Sequence, residues 1–311
     1  MSDQGLTREH VVWAYRILLD RDPESESVIL PKQRGYQTTR ELRADIMTSQ
    51  EFLEKNRDYA HTNARNIVIK ELEGGCRLFI DLSDHAISLN ILRGRFEPGE
   101  LAFLRRTIRP EQHVLDVGAH IGFFTIHMAA LVGPRGSVRA YEPMDENADL
   151  LVRSIRENGF EGRVQYERAA VGGYDGTIDL AFATETLNSG GAFVVTGTNA
   201  PRGHATRRVP IVALDSQELR RPVAFIKMDA EGAEALVLEG ARHLIAADRP
   251  VILSELHAEQ LARVSGRSVD QFLLDVRELG YRTHRLEGDS PGAEITSTPS
   301  EAVASVVMLP Q

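Results

Sequence analysis

Apolar residues recur at helical spacing at the start of the chain, then fall into strand-length runs separated by further helical stretches. Val11, Ala14, Tyr15, Leu18 and Leu19 lie on one stripe and predict an amphipathic helix over residues 7–19, ended by Asp22-Pro23. Thr38-Thr39-Arg40-Glu41 has the order of a capping box and opens a second helix, with Leu42, Ile46, Ser49 and Leu53 on one face. With the charged stretch 54–58, these helices predict a small N-terminal unit over 1–60, too short to bury a good core alone. Ile67-Val68-Ile69, Leu78-Phe79-Ile80 and the run 87–92 predict short strands of an antiparallel lead-in spanning 66–95. After Pro98-Gly99 a helix carries Leu101, Leu104, Arg105 and Ile108 and stops at Pro110.

Beyond that point strands and helices alternate. Strands are predicted at 113–117, 137–141, 163–168, 223–228 and 250–256, with helices at 121–131, 146–158, 231–245 and 269–279. Segments 281–286 and 302–309 suit an antiparallel pair across a Gly/Ser/Pro/Thr loop. The expected fold is α/β: a doubly wound, Rossmann-like, mostly parallel sheet over 61–311, with its core at 96–311. Ligands of such sheets bind at the carboxyl ends of strands, at the switch point, so candidate chemistry is sought there. The stretch 172–215 is a long insertion with a strand at 178–182, expected as an edge hairpin extending the sheet.

Composition narrows the function classes. With 36 Lys+Arg against 45 Asp+Glu, the chain carries a net charge of −9, which argues against a nucleic-acid or anionic-membrane partner. Cys76 is the one cysteine, so neither an intramolecular disulfide nor a cysteine-based zinc site is expected. No basic stretch leads into an apolar one at the N-terminus, and no apolar run approaches a membrane span; a cytoplasmic location is expected.

The first strand–helix turn, VLDVGAHIGFF, carries the strongest chemical signal. Asp116 ends the strand, Gly118 permits a tight turn and Gly122 stands where the helix begins. A dinucleotide fingerprint would place glycine at position 120, where this chain has His120. A carboxylate at the strand end suits a ligand with a cationic amine better than a pyrophosphate. The pattern D-x-G-x-x-x-G resembles the first motif of class I S-adenosylmethionine-dependent methyltransferases. Glu142 ends the second strand, 26 residues beyond Asp116, and a carboxylate there can accept both ribose hydroxyls of an adenosine. The plainer alternative makes Asp116 a helix cap and Glu142 a loop acid.

The fourth strand and its sequel read FIKMDAEGAE, then LVLEGARHLI and RPVILSELH. With YEPMDEN and RAAVGG, they make the chain similar to the FkbM family of S-adenosylmethionine-dependent methyltransferases. The resemblance covers about 96–257, and it implies O-methylation. His120 departs from the usual Asn of G-A-N-I-G in that family. The N-terminal YRILLDRDPES and IMTSQEF resemble a helical module found beside bacterial glycan-modifying proteins, which implies a saccharide or other small-molecule acceptor.

The resemblance also suggests roles. Glu97 would close over the cofactor, and Glu167 with Ala169 would frame the adenine after the third strand. Asp229 ends the fourth strand beside the switch point, so it is expected to touch the cofactor and to act as a catalytic base. His257 follows the fifth strand and is the other candidate base, facing the substrate. Glu231, expected with Glu234 in the first turn of the next helix, is a candidate substrate contact, although acids there also suit the helix dipole. Asn188 and Ser189 of the insertion are candidate substrate donors. Lys227, inside a buried strand, is expected to pair with Glu255 or Asp229. Asp229, Glu231 and Glu255 leave Mg²⁺ possible. The rival readings are a nucleoside-binding protein without catalysis and, third, an NAD-dependent oxidoreductase. Gly288-Asp289-Ser290-Pro291-Gly292 fits the G-x-S-x-G string of hydrolases, but Pro291 has no N–H for an oxyanion hole, so a turn is expected.

Overall fold

The computed structural model describes residues 6–47, 49–55, 66–84, 86–183, 192–194, 204–299 and 301–311. Contacts divide the chain into two units, 1–68 with 80–96, and 69–79 with 97–311.

The first unit contains helices α1 (Arg8–Leu19), α2 (Glu26–Gly35), α3 (Thr39–Met47) and α4 (Gln50–Lys55). Thr7 and His10 exchange side chain and backbone bonds in a capping box that starts α1. At α3, Thr38 Oγ1 accepts from the Glu41 N–H at 3.2 Å, while the Glu41 carboxylate accepts from Gln37 N at 2.7 Å. The reciprocal bond thus falls one residue earlier than a capping box would place it. Leu6, Val11, Tyr15, Leu19, Ile29, Leu42 and Ile46 form a separate buried cluster, so the helices do own a core. The run expected as a third lead-in strand is instead helix α5 (Ser88–Leu92). The Asp84 carboxylate accepts the N–H groups of Ala86, Ile87 and Ser88, and this local cap decides a short apolar run that periodicity leaves ambiguous. β1 (Ile67–Glu71) and β2 (Arg77–Asp81) form a two-stranded sheet as expected.

In the second unit, helix α6 (Pro98–Thr107) precedes β3 (His113–Val117), α7 (Phe123–Val132), β4 (Ser137–Tyr141), α8 (Asp145–Glu157) and β5 (Val164–Glu167). After the insertion come β10 (Val223–Met228), α9 (Glu234–Glu239), α10 (Arg242–Asp248), β11 (Val251–His257), α11 (Ala258–Val264), α12 (Val269–Glu278), β12 (Tyr281–Glu287), β13 (Ser290–Glu294) and β14 (Val303–Pro310). The sheet order is β13-β12-β14-β11-β10-β3-β4-β5. From β5 to β11 all neighbours are parallel, and β14 runs antiparallel between β11 and β12. The chain winds outward from β3 to β5, then returns to β10 and winds the other way. The switch point therefore lies between β3 and β10. Leu115, Val117, Ile226, Met228, Ile252 and Phe272 belong to the core packed against this sheet.

Three expectations about elements change here. The helix predicted over 231–245 is two helices broken at Gly240, where a Cβ would stand 2.0 Å from the Gly172 carbonyl oxygen. The insertion does not extend the main sheet: β6 (Ala170–Val171), β7 (Gly176–Ala183), β8 (Phe193–Val194) and β9 (His204–Val212) form a sheet of their own in the order β6-β9-β7-β8. Its Leu180 and Val209 bury themselves against Met144, beyond β4, which gives the insertion an apolar partner. Of the Gly288–Gly292 string, the first two residues turn and Ser290 begins edge strand β13, where Pro291 is tolerated. No helix among the described residues is long and apolar enough to cross a membrane.

Candidate active site

The turn after β3 is built from left-handed backbone: φ is +78° at Gly118, +51° at His120 and +93° at Gly122. Gly118 N and Ala119 N both donate to the Tyr141 carbonyl, at 3.0 and 2.9 Å, which ties the turn to the end of β4. A Cβ on Gly118 would lie 1.9 Å from the Asp229 carbonyl oxygen, so glycine is required there by contact as well as by φ. Asp229 N also donates to Val117 O at 3.0 Å. The turns after β3 and β10 thus touch through their backbones at the switch point. His120 occupies a left-handed position that Asn and His tolerate better than most side chains, which accounts for its standing where Asn is usual.

Glu142 is buried at the end of β4. One carboxylate oxygen accepts from His120 N at 2.9 Å, and the other accepts from Met144 N at 2.8 Å and from Asn147 at 3.4 Å. Burial pushes its pKa up to about 7, against the pull of these donors. The predicted β4 acid is therefore also the strut of the predicted β3 turn. Glu167 ends β5, its carbonyl accepts from Glu142 N at 3.2 Å, and its carboxylate pairs with Arg139. Ala169 is buried just beyond. These positions line the strand ends to one side of the switch point.

On the other side, acids gather about Lys227. Its Nζ donates to Asp229 Oδ2 at 2.9 Å and lies 4.8 Å from the Phe124 ring centroid. Asp229, not Glu255, is thus its partner. Burial opposes the ammonium, but Asp229, Glu97 and Asp116 outweigh it and raise the Lys227 pKa. Asp116, fully buried, accepts from Thr125 Oγ1 at 2.5 Å, while its Oδ1 has no hydrogen-bond partner among the described residues. Its pKa rises to about 6 through burial, with Lys227 pulling it down. Glu97 sits at the N-terminus of α6 with φ +39°, and burial raises it to about 8, helped by Asp229, Glu100 and Glu255. Burial also raises Glu255.

Glu231 is not in a helix. It precedes α9 in a turn with φ +51°, followed by Gly232 at +97°, where a Cβ would stand 2.4 Å from the Gln260 carbonyl. Glu231 Oε2 accepts from Gln260 Nε2 at 2.6 Å, and burial lifts its pKa to about 8. Glu234 begins α9 and accepts from the Ala230 and Gly232 N–H groups at 3.0 and 3.2 Å, a structural task for its carboxylate. His257 caps α11: its Nδ1 accepts from Gln260 N at 3.3 Å. That bond assigns the neutral ring's proton to Nε2, which makes the remaining ring nitrogen a donor. Asn188 and Ser189 lie outside the described residues. No group of three or more His, Cys, Asp and Glu among the described residues is arranged to hold a metal ion.

Sequence reasoning missed Phe124, Thr125 and Gln260, each bonded to or stacked with a predicted site residue. The first two lie in the first turn of α7 and read simply as helix. Gln260 belongs to a helix that the pattern did not show. The chemistry open to this site is that of several carboxyl groups with raised pKa beside a glycine turn, with one carboxylate fixed by an ammonium.

Among curated protein sequences none is significantly similar to this chain. Similar folded chains include an FkbM methyltransferase from Methylobacillus flagellatus (17% identity, TM-score 0.40, covering 71% of this chain and 52% of that one). Others are a putative rRNA methylase from Clostridium thermocellum (12%, TM-score 0.42, 68% and 92%) and an S-adenosylmethionine-dependent O-methyltransferase from Thermotoga maritima (13%, TM-score 0.40, 81% and 96%). The methyltransferase FkbM domain matches residues 116–283, more than half of the 311 residues and every strand end from β3 to β11. The chain belongs to the FkbM methyltransferase family.

Proposed function

We propose that this methyltransferase moves a methyl group from S-adenosylmethionine to a hydroxyl oxygen of a saccharide or other small-molecule acceptor in the cytoplasm, with no nucleic-acid or membrane partner. The observation that carries the reading is the Asp229 carboxylate, fixed at 2.9 Å by Lys227, in a turn whose backbone touches the glycine turn after β3. The residues fit the cofactor: Asp116 has a buried oxygen without a donor among the described residues, and Gly118 leaves no Cβ in the turn. Glu142 would accept the ribose hydroxyls on lone pairs its backbone donors leave open, Glu167 and Ala169 would frame the adenine, Asp116 would face the amino group, and Glu97 would close over the cofactor. The bound cofactor supplies a sulfonium-borne methyl group for in-line displacement, where alignment alone contributes much of the rate.

Asp229 receives the hydroxyl proton, since Lys227 occupies one of its oxygens and leaves the other to accept. His257, with Nδ1 engaged in the α11 cap, donates from Nε2 to the acceptor and positions it. Glu231, held by Gln260, binds a further hydroxyl. The test is transfer of labelled methyl from S-adenosylmethionine into a panel of saccharides and small alcohols, with the product linkage read by NMR. Label on oxygen, lost in Asp229→Asn, supports the reading. Label on nitrogen or carbon overturns it.

A further inference from the structure

One residue joins the two side chains assigned to the acceptor. Gln260, in the first turn of α11, donates its backbone N–H to His257 Nδ1 at 3.3 Å and its side-chain Nε2 to Glu231 Oε2 at 2.6 Å. Its carbonyl lies against Gly232, where a Cβ would stand 2.4 Å from the oxygen. The turn after β10 and the end of β11 are therefore held to the same residue through separate atoms. Glu231, Gln260 and His257 are all half-buried, so the group is packed and yet reachable from outside.

The surroundings decide which partner is fixed and which follows. Glu231 holds φ +51°, a backbone conformation uncommon outside glycine. Such a residue persists there only where its neighbours over-determine it. The helix that carries Gln260 is anchored at both ends. His257 caps its start, and the Arg263 guanidinium near its end sits 4.1 Å from the ring centroid of Phe193 on β8. The Gln260 amide thus stands at a set place, and the Glu231 carboxylate, on a flexible stem, takes its direction from it.

We propose that Gln260 is a positioning residue of the acceptor site: its side chain holds Glu231 Oε2 and leaves Oε1 for the acceptor, while its backbone N–H keeps His257 Nε2 as the donor of the same site. The inference rests on the proposed acceptor roles of Glu231 and His257. The amide N–H favours the carboxylate of Glu231 over its acid form. It acts against burial, against Asp229 in the same turn, against Glu234 on α9 and against Glu255 on β11. An ionised Glu231 accepts from an acceptor hydroxyl, so without the amide this acceptor contact forms only at higher pH.

Gln260→Met tests the proposal, because methionine has a similar length, lacks the donor and leaves the backbone bond to His257 in place. On the full chain, carbon NMR of side-chain-labelled glutamate follows the Glu231 carboxyl, identified by its loss in Glu231→Gln. The Glu231 midpoint should move to higher pH in Gln260→Met, while His257 keeps its Nε2–H form and S-adenosylhomocysteine binds as in the wild type. Methyl transfer is then measured with the saccharide and alcohol panel at saturating S-adenosylmethionine. The acceptor KM should rise about tenfold and kcat change by less than about threefold, with the rising limb of kcat/KM displaced upward in pH. Gln260→Asn, which keeps the amide but falls short by one methylene, should behave in the same way and serves if the methionine variant does not fold. A Glu231 midpoint that stays in place, or an acceptor KM that does not rise, overturns the inference and leaves the transferase reading standing. No transfer to any member of the panel overturns both.

Discussion

The backbone of Gly118 lies so close to Asp229 that a Cβ on the glycine would stand 1.9 Å from the Asp229 carbonyl oxygen. Two turns that are 111 residues apart in the chain are therefore one structural piece (229 − 118). Any side chain at 118 must push the β3 turn away from the β10 turn and also adopt φ +78°. Gly118→Ala is expected to cost more than the ~1–2 kcal/mol of the left-handed conformation alone and to abolish cofactor binding. Thermal denaturation and calorimetry check it; a wild-type melting temperature would show that the contact gives way cheaply.

Glu142 has two tasks, so its removal should be felt twice. Glu142→Ala leaves the His120 and Met144 N–H groups without their carboxylate and takes away the proposed ribose partner. Cofactor affinity should fall by roughly 1–3 kcal/mol, with a loss of stability of similar size. Calorimetry with S-adenosylhomocysteine beside a denaturant titration separates the two. An unchanged dissociation constant in a folded variant would reject the ribose role.

Stability without ligand should fall as pH rises. Asp116, Glu142, Glu234, Glu231 and Glu97 have native pKa values of about 6, 7, 7, 8 and 8, all raised mainly by burial above ordinary values of 3.8 for Asp and 4.5 for Glu. Between pH 4.5 and 8 the native state therefore holds more protons than the unfolded state, and unfolding becomes easier with each step upward. A loss of several kcal/mol from pH 6 to pH 8.5 is expected, most of it from the two groups near 8. Melting curves at the two pH values decide it, and greater stability at pH 8.5 would contradict the picture of buried, protonated acids.

Lys227→Met strips the cluster of its buried cation. Breaking such a pair by removing one partner costs about 3–5 kcal/mol, because the remaining charge is left uncompensated. Lys227→Met combined with Asp229→Asn should recover part of that loss. If the single variant is as stable as wild type, the pair seen at 2.9 Å contributes nothing to the fold.

His257 separates capping from catalysis by choice of substitution. His257→Ala removes the acceptor that caps α11 and should cost about 1 kcal/mol, whereas His257→Asn supplies another capping oxygen. Single-turnover methylation should then fall in both variants, because neither offers a ring N–H to the acceptor. A rate restored in His257→Asn would reduce the histidine to its structural task.

The sequence by itself determined the alternation of β and α, the glycine turn after β3, and the placing of Asp116, Glu142 and Asp229 at strand ends. These depend on local causes: the period of apolar positions, side-chain-free residues where the chain turns, and polar residues where buried strands stop. Tertiary structure decided the rest. Residues 88–92 became a helix because Asp84 captured three N–H groups, which no apolar period announces. The insertion became a sheet of its own because Leu180 and Val209 found Met144. Lys227 paired with Asp229 rather than Glu255, and His257 turned Nδ1 to Gln260, because those partners came within hydrogen-bond reach once the chain had folded. A buried charge or ring takes the partner that packing brings to it. The order of residues along the chain does not state which partner that will be.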